Sequence, residues 1–139
     1  PGDMPKRIND YLVKTKQKPI RDKGQMVRVI LESLALKYRR VCEAVEDVAG
    51  HRIDVLHIVG GGIKNELLCE FTANALGKKV VTGPVEATAS GNILMQAIAT
   101  GQIKTLAEAR QIVRNTFEIK EYQPSESSLW QEQYEKCKK

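Results

Sequence analysis

Aromatic side chains are scarce in this chain: one tryptophan, four tyrosines and two phenylalanines make up 5% of its 139 residues. A surface that stacks single-stranded bases needs several such rings among basic residues, and the basic first third offers only Tyr11 and Tyr38. Nucleic acid is therefore not an expected partner. Cysteine is scarce too. Cys42, Cys69 and Cys137 are odd in number and lack C-x-x-C spacing, which argues against a disulfide framework or a zinc site and for free, reduced thiols packed as small apolar groups. His51 and His57 are too few and too differently placed to hold a metal. No apolar run is long enough for a membrane span, and the first twenty residues contain no signal-peptide core. A cytoplasmic chain with no membrane partner is expected.

The remaining composition is that of an ordinary globular domain, 42% hydrophobic and 28% charged. A chain of 139 residues suits a single core. It begins at Pro1 rather than Met, and is read as a piece of a longer protein. The net charge of +5 is unevenly placed: residues 1–53 hold twelve Lys/Arg against seven Asp/Glu, and residues 54–139 hold ten of each. The excess, around Lys14, Lys16, Lys18, Arg39 and Arg40, reads as a solvated basic face.

Residues 1–21, with Pro1, Gly2, Pro5 and Pro19, are expected to form an irregular or short-helical lead-in. Asp22-Lys-Gly-Gln25 resembles a capping box opening a long helix that ends near Gly50. Its apolar stripe is Val27, Leu31, Leu34, Tyr38, Val41, Val45 and Val48, widened by Ile30, Ala35 and Cys42 to the breadth of a helix lying on a sheet. Val55 to Val59 then reads as a buried strand, with His57 expected to be satisfied by a hydrogen bond. A helix from about Asn65 to Gly77 carries Leu67, Leu68, Phe71, Thr72 and Ala75 on one face. Lys78 to Thr82 is a second strand, parallel to the first if the crossover is right-handed. Gly83-Pro84 breaks it, and a helix follows from Glu86 to Ala99, where Gly91 calls for tight packing or a ligand to offset its helix cost of about 1 kcal/mol. Thr105 and Glu108 box a further helix, Phe117 to Pro124 is a connector, and a final helix from Ser127 places Trp130, Tyr134 and Cys137 on one face. Strand–helix–strand–helix order argues for an α/β fold. Two strands are too few for a stable sheet, so further strands are expected upstream.

The stretch that carries chemistry is His57-Ile-Val-Gly60-Gly61-Gly62-Ile-Lys-Asn65. Strand, glycine turn and helix bring backbone N–H groups and a helix N-terminus to one point, where an anion such as phosphate can bind. Glycine permits positive φ and, lacking a Cβ, lets a ligand lie on the main chain. A plain tight βα turn explains the same residues about equally well. The Walker phosphate loop does not fit, because Ile63-Lys64-Asn65 follows Gly62 where Gly-Lys-Ser/Thr is needed. The dinucleotide fingerprint fails at its last position, where Asn65 replaces glycine. Asn65 is well suited to cap the helix. Glu86, Thr88 and Asn92 could polarise a ligand, and helix capping explains the first two nearly as well. Among the residues themselves no nucleophile–base pair stands out.

His57-Ile-Val-Gly-Gly-Gly-Ile-Lys-Asn65-Glu-Leu-Leu, followed by Gly83-Pro-Val-Glu-Ala-Thr-Ala-Ser-Gly-Asn92-Ile-Leu-Met-Gln96, resembles the C-terminal domain of the FGGY carbohydrate kinases. The second motif, with Gly-Asn where sister kinases have Gly-Ala-Ala, points to the branch acting on L-rhamnulose. The resemblance implies the C-terminal portion of an actin-like ATPase (ribonuclease H-like) fold, with parallel strands flanked by helices; residues 22–139 would be its nucleotide-binding part. It implies that Gly61 meets the ATP phosphates, with Gly60 and Gly62 flanking it, and that Asn65 lies nearest the adenosine. Lys64 could reach a phosphate or face solvent, and solvent is the favoured reading. ATP and Mg²⁺ are the implied cofactors, and the γ-phosphoryl group would pass to the 1-hydroxyl of the ketose. The catalytic aspartate and the sugar contacts would belong to an N-terminal kinase domain of the same protein, so no catalytic or metal-binding residue is assigned in this chain. Other readings are another sugar kinase of the family, a non-catalytic actin-like nucleotide-binding module, and a dinucleotide-binding module, the last disfavoured by the missing glycine.

Overall fold

The computed structural model describes residues 2–137 and contains six helices and three short strands among them. Helix α1 spans Met4–Lys14, capped by Asp3, whose side chain accepts from the Lys6 amide. The lead-in is thus helical. It buries no residue and is tied to the following segment by Asn9, which exchanges two hydrogen bonds with the backbone of Ile20. Helix α2 spans Lys23–Ala49, starting where Asp22 accepts from the Gln25 amide and stopping at Gly50 in the left-handed conformation. No helix among the described residues is long and apolar enough to cross a membrane.

Strand β1 (Val55–Ile58) pairs in parallel with β2 (Lys79–Thr82), joined by α3 (Glu66–Leu76). The register sets Val55 opposite Lys79 and Ile58 opposite Thr82. Helices α4 (Ala87–Ala99) and α5 (Leu106–Thr116) follow, and then a third strand, β3 (Glu121–Tyr122), antiparallel to β2. This strand lies in the stretch expected to be a connector. It forms because Thr82 ties the chain down on both sides of one residue: its amide donates to the Lys120 carbonyl, and its hydroxyl accepts from the Lys120 amide. The sheet order β1-β2-β3 leaves β1 at an open edge.

The core lies between α2, α3 and the last helix, α6 (Ser127–Cys137): Leu31, Ala35, Cys42, Phe71, Ala75, Leu76 and Trp130 form one buried cluster. This corrects the expected face of α2. Of the long stripe only Leu31 is buried; Val27, Leu34, Tyr38, Val41, Val45 and Val48 are exposed, Val48 at 91%. Ala35 and Cys42, the small residues beside that stripe, let α3 approach closely. Helix α3 is itself more enclosed than an amphipathic surface helix. Phe71 to Leu76 are all buried, whereas Leu67 is exposed. Asn74 has a structural task there: its Oδ1 accepts from the backbone amides of Ser125 and Glu126 and so fixes the entry to α6. On α6, Trp130 and Tyr134 are buried as expected, while Cys137 is exposed.

A cluster of ionic contacts fixes where β1 starts. Lys78 Nζ donates to Glu46 of α2 and to the Ile53 carbonyl, while the Ile53 amide donates to the same Glu46 carboxylate. The end of α2, the entry to β1 and the entry to β2 are held at one point, and the strands therefore deliver their C-terminal ends side by side.

Candidate functional site

In parallel sheets, ligand sites form outside the carboxyl ends of the strands. Here those ends carry Val59-Gly60-Gly61-Gly62 after β1 and Gly83-Pro84 after β2. Gly60 to Lys64 form a single tight 3-10 turn rather than an open loop. Gly60 is the glycine of this turn with a positive φ, +79°. Gly61 is outside the left-handed region, so its lack of a side chain matters for space and not for backbone conformation. A Cβ added at Gly61 would meet nothing within 4 Å. The middle glycine thus presents bare main chain to open space.

Asn65 ends the turn and begins α3, its Oδ1 accepting from the Leu68 amide at 3.0 Å. This bond arrests the chain between the turn and the helix and points the helix N-terminus at the turn. The Asn65 side-chain amide group makes no hydrogen bond among the described residues and is open to a ligand. Gly60, Gly61, Gly62 and Asn65 are therefore gathered in one exposed structure. Lys64 is exposed.

Glu66, in the first turn of α3, would set a negative charge beside this helix end. Lys120 Nζ reaches it at 2.6 Å, and that carboxylate holds the lysine above its usual range. Beneath this pair the Tyr122 hydroxyl is buried without a hydrogen-bond partner among the described residues, and burial pushes its phenol up.

The two loops are laced together. The Gly83 amide donates to the Ile58 carbonyl at 2.8 Å, and the Gly60 amide donates to the Pro84 carbonyl at 3.0 Å. Gly83-Pro84, expected to break the strand and to open the second family-like motif, is thereby coupled to the glycine turn through a non-local contact that neither feature announces. Beside the laced loops, an open trough of about 900 Å³ runs over the exposed sheet face, with His57, Val59 and Pro84 on one side and Arg110 and Arg114 of α5 on the other. The arginine pair, one helical turn apart, was also passed over in the sequence. His57 is exposed in this trough and makes no hydrogen bond among the described residues, contrary to expectation.

Glu86 precedes α4 without capping it through its side chain. Gly91 has no neighbour within 4 Å of an added Cβ, so among the described residues tight packing does not offset its helix cost. Helix α4 buries no residue and leaves Ile93 and Met95 exposed. Among the described residues no group of three or more His, Cys, Asp or Glu is placed to hold a metal ion.

Residues 1–100 match the C-terminal domain of the FGGY family of carbohydrate kinases. The chain is 42% identical to a rhamnulokinase of Bacteroides thetaiotaomicron over 134 residues, which are 96% of this chain and 28% of that protein. It is 42% identical to a rhamnulokinase of Bacillus subtilis over 126 residues, 91% of this chain and 26% of that protein. The chain thus spans little more than a quarter of these relatives' length. Its backbone is similar to the crystal structure of xylulose kinase from Rhodospirillum rubrum, with a TM-score of 0.67 over 85% of this chain and 24% of that one, at 20% sequence identity. The fold is accordingly the C-terminal portion of an actin-like ATPase fold, and the chain belongs to the FGGY family of carbohydrate kinases.

Proposed function

We propose that the protein containing this chain is an ATP-dependent sugar kinase, with L-rhamnulose as acceptor and L-rhamnulose 1-phosphate as product, and that this chain forms the nucleotide wall of its cleft. The observation that carries the reading is the bare Gly61 backbone at the N-terminus of α3, with open space where a Cβ would stand. Backbone N–H groups and the positive end of a helix suit the ATP phosphates, and the free amide of Asn65 suits the adenosine. Lys120, by pairing with Glu66, removes a charge that would repel them. The sugar is inferred from the names of the relatives at 42% identity.

In the transfer, the sugar 1-hydroxyl oxygen bonds to the γ-phosphorus as the bond to the β–γ bridging oxygen breaks; ADP leaves, and the hydroxyl proton passes to a base. Catalysis of this kind is mostly positioning and charge stabilisation. The carboxylates near the turn are poor bases for it: Glu66 is paired, and Glu70 lies further along the helix leaving the turn. The base is assigned to the remainder of the protein, as are the sugar contacts. Mg²⁺ would accompany the nucleotide. The described residues gather no ligand set for it. The open edge of β1, the exposed stripe of α2 and the uncovered α4 support a chain that packs against more protein.

The test is phosphoryl transfer from ATP by the complete protein to L-rhamnulose and to a panel of other ketoses and polyols, alongside residues 1–139 alone. Turnover by the complete protein with highest kcat/KM for L-rhamnulose, and none by residues 1–139, is expected. Preference for another sugar would overturn the substrate, and turnover by residues 1–139 would overturn the assignment of the base.

A further inference from the structure

We propose that Gly83 and Pro84 are positioning residues for the nucleotide: they clasp the glycine turn in its working conformation, and Gly83 must lack a side chain for the clasp to close. The inference rests on the reading of the turn as a phosphate site and adds to it a second loop. The Gly83 amide extends the β1–β2 ladder one step beyond Ile58 and Thr82 by donating to the Ile58 carbonyl at 2.8 Å. One residue later, the Pro84 carbonyl accepts the Gly60 amide at 3.0 Å, fixing the residue whose φ of +79° starts the turn. Pro84 has a locked φ, which limits the directions its carbonyl can take.

Gly83 is not in the left-handed region; its requirement is for space. A Cβ there would lie 2.7 Å from Cγ1 of Val59, well inside van der Waals contact. Val59 is β-branched and extended, with φ of −130° and ψ of 165°, and such a side chain resists leaving its preferred χ1. A methyl at Gly83 is therefore relieved by turning Val59 off its rotamer or by parting the loops. Val59 immediately precedes Gly60, so either adjustment is transmitted to the base of the turn. Recognition by backbone N–H groups tolerates displacements of only about 0.5 Å. No other glycine has an added Cβ that would come within 3.0 Å of a neighbour, so Gly83 is the one whose substitution strikes the site through packing.

The experiment uses the complete protein and compares the parent with Gly83→Ala, Gly83→Ala/Val59→Ala and Pro84→Ala. Calorimetric titration gives the Kd for ATP and for L-rhamnulose, and hydrogen–deuterium exchange follows the peptide spanning residues 55–64. Gly83→Ala is expected to weaken ATP binding by roughly tenfold or more, leave sugar binding nearly unchanged and speed exchange at the Gly60 amide. Val59→Ala in that background removes Cγ1 and should restore both. Pro84→Ala should move both readouts in the same direction by less, and it carries the test should Gly83→Ala fail to fold. Parent-like ATP affinity and exchange in Gly83→Ala would overturn the clasp. So would a loss shared equally by ATP and sugar that Val59→Ala does not rescue, since that is a general folding defect. If Gly61→Val binds ATP normally, the phosphate site is wrong; faster Gly60 exchange in Gly83→Ala, reversed by Val59→Ala, would still establish the clasp.

Discussion

Tyr134→Phe isolates one hydroxyl in the contact between α6 and α2. The Tyr134 ring is 3% exposed, its hydroxyl donates to Glu43 Oε2 at 2.6 Å, and the Arg39 guanidinium carbon lies 4.0 Å from the ring centroid. The substitution keeps the ring and the cation–π contact and removes one O–H to carboxylate bond. Such charge-assisted bonds contribute about 1.5–3 kcal/mol. Glu43 is partly exposed and keeps Arg39 Nε at 2.9 Å, which places the loss at the lower end, about 1.5 kcal/mol at pH 8. Burial, and then Glu43, push the phenol up to about 12 in the folded state. An unfolded tyrosine ionises near 10, so between these values the unfolded chain releases its proton first and stability falls as pH rises. The contribution is complete below about pH 10 and is lost towards pH 12; two pH units set its ceiling at about 2.7 kcal/mol. Urea unfolding of the complete protein and its Tyr134→Phe variant at pH 8, 10 and 11 gives the difference, in which the other tyrosines and the lysines cancel. The gap should shrink by about 1 kcal/mol at pH 11. A gap constant from pH 8 to 11 would refute the buried, proton-holding phenol.

Lys78→Met should destabilise the protein by freeing Glu46 and the Ile53 carbonyl. Lys78 holds the Glu46 carboxyl below its usual range, with help from the Ile53 amide. The loss should therefore be full above the ordinary carboxylate pKa and close as pH falls through the lowered value, and acid unfolding curves of the two proteins should converge. Maleimide labelling read by mass spectrometry should modify Cys137 quickly and Cys42 and Cys69 slowly, since burial raises the thiol pKa of both. Fast labelling of Cys42 would contradict the packing of α2 on α3. Cys137→Ser should leave kinase activity of the complete protein unchanged.

What the sequence made legible was local chemistry. Asp22, Asn65 and Thr105 accept the expected helix amides, Gly50 and Gly77 stop helices in the left-handed conformation, and the two expected strands pair in parallel. Gly60, Gly61, Gly62 and Asn65 are readable as one turn because they fall within a single stretch, residues 60–65. The buried face of α2 was not. A four–three spacing marks several candidate stripes, and the choice fell to Ala35 and Cys42 because α3 packs where the side chains are small. Strand β3 depends on Thr82 meeting Lys120, and the clasp on Gly83 meeting Val59, contacts that no periodicity announces. Among the described residues nothing meets an added Cβ at Gly91 and α4 buries no residue, and a helix face is legible in sequence while the surface that covers it is not.

The central claim is that the glycine turn receives the ATP phosphates, and Gly61→Val in the complete protein tests it most directly. Because nothing lies within 4 Å of an added Cβ and φ is ordinary there, valine can be accommodated without unfolding the turn, yet it occupies the space assigned to phosphate. Calorimetric titration should find ATP affinity reduced by at least about tenfold, with L-rhamnulose affinity and melting temperature close to those of the parent. Unchanged ATP affinity in a folded Gly61→Val protein would contradict the account and remove the turn from the nucleotide site.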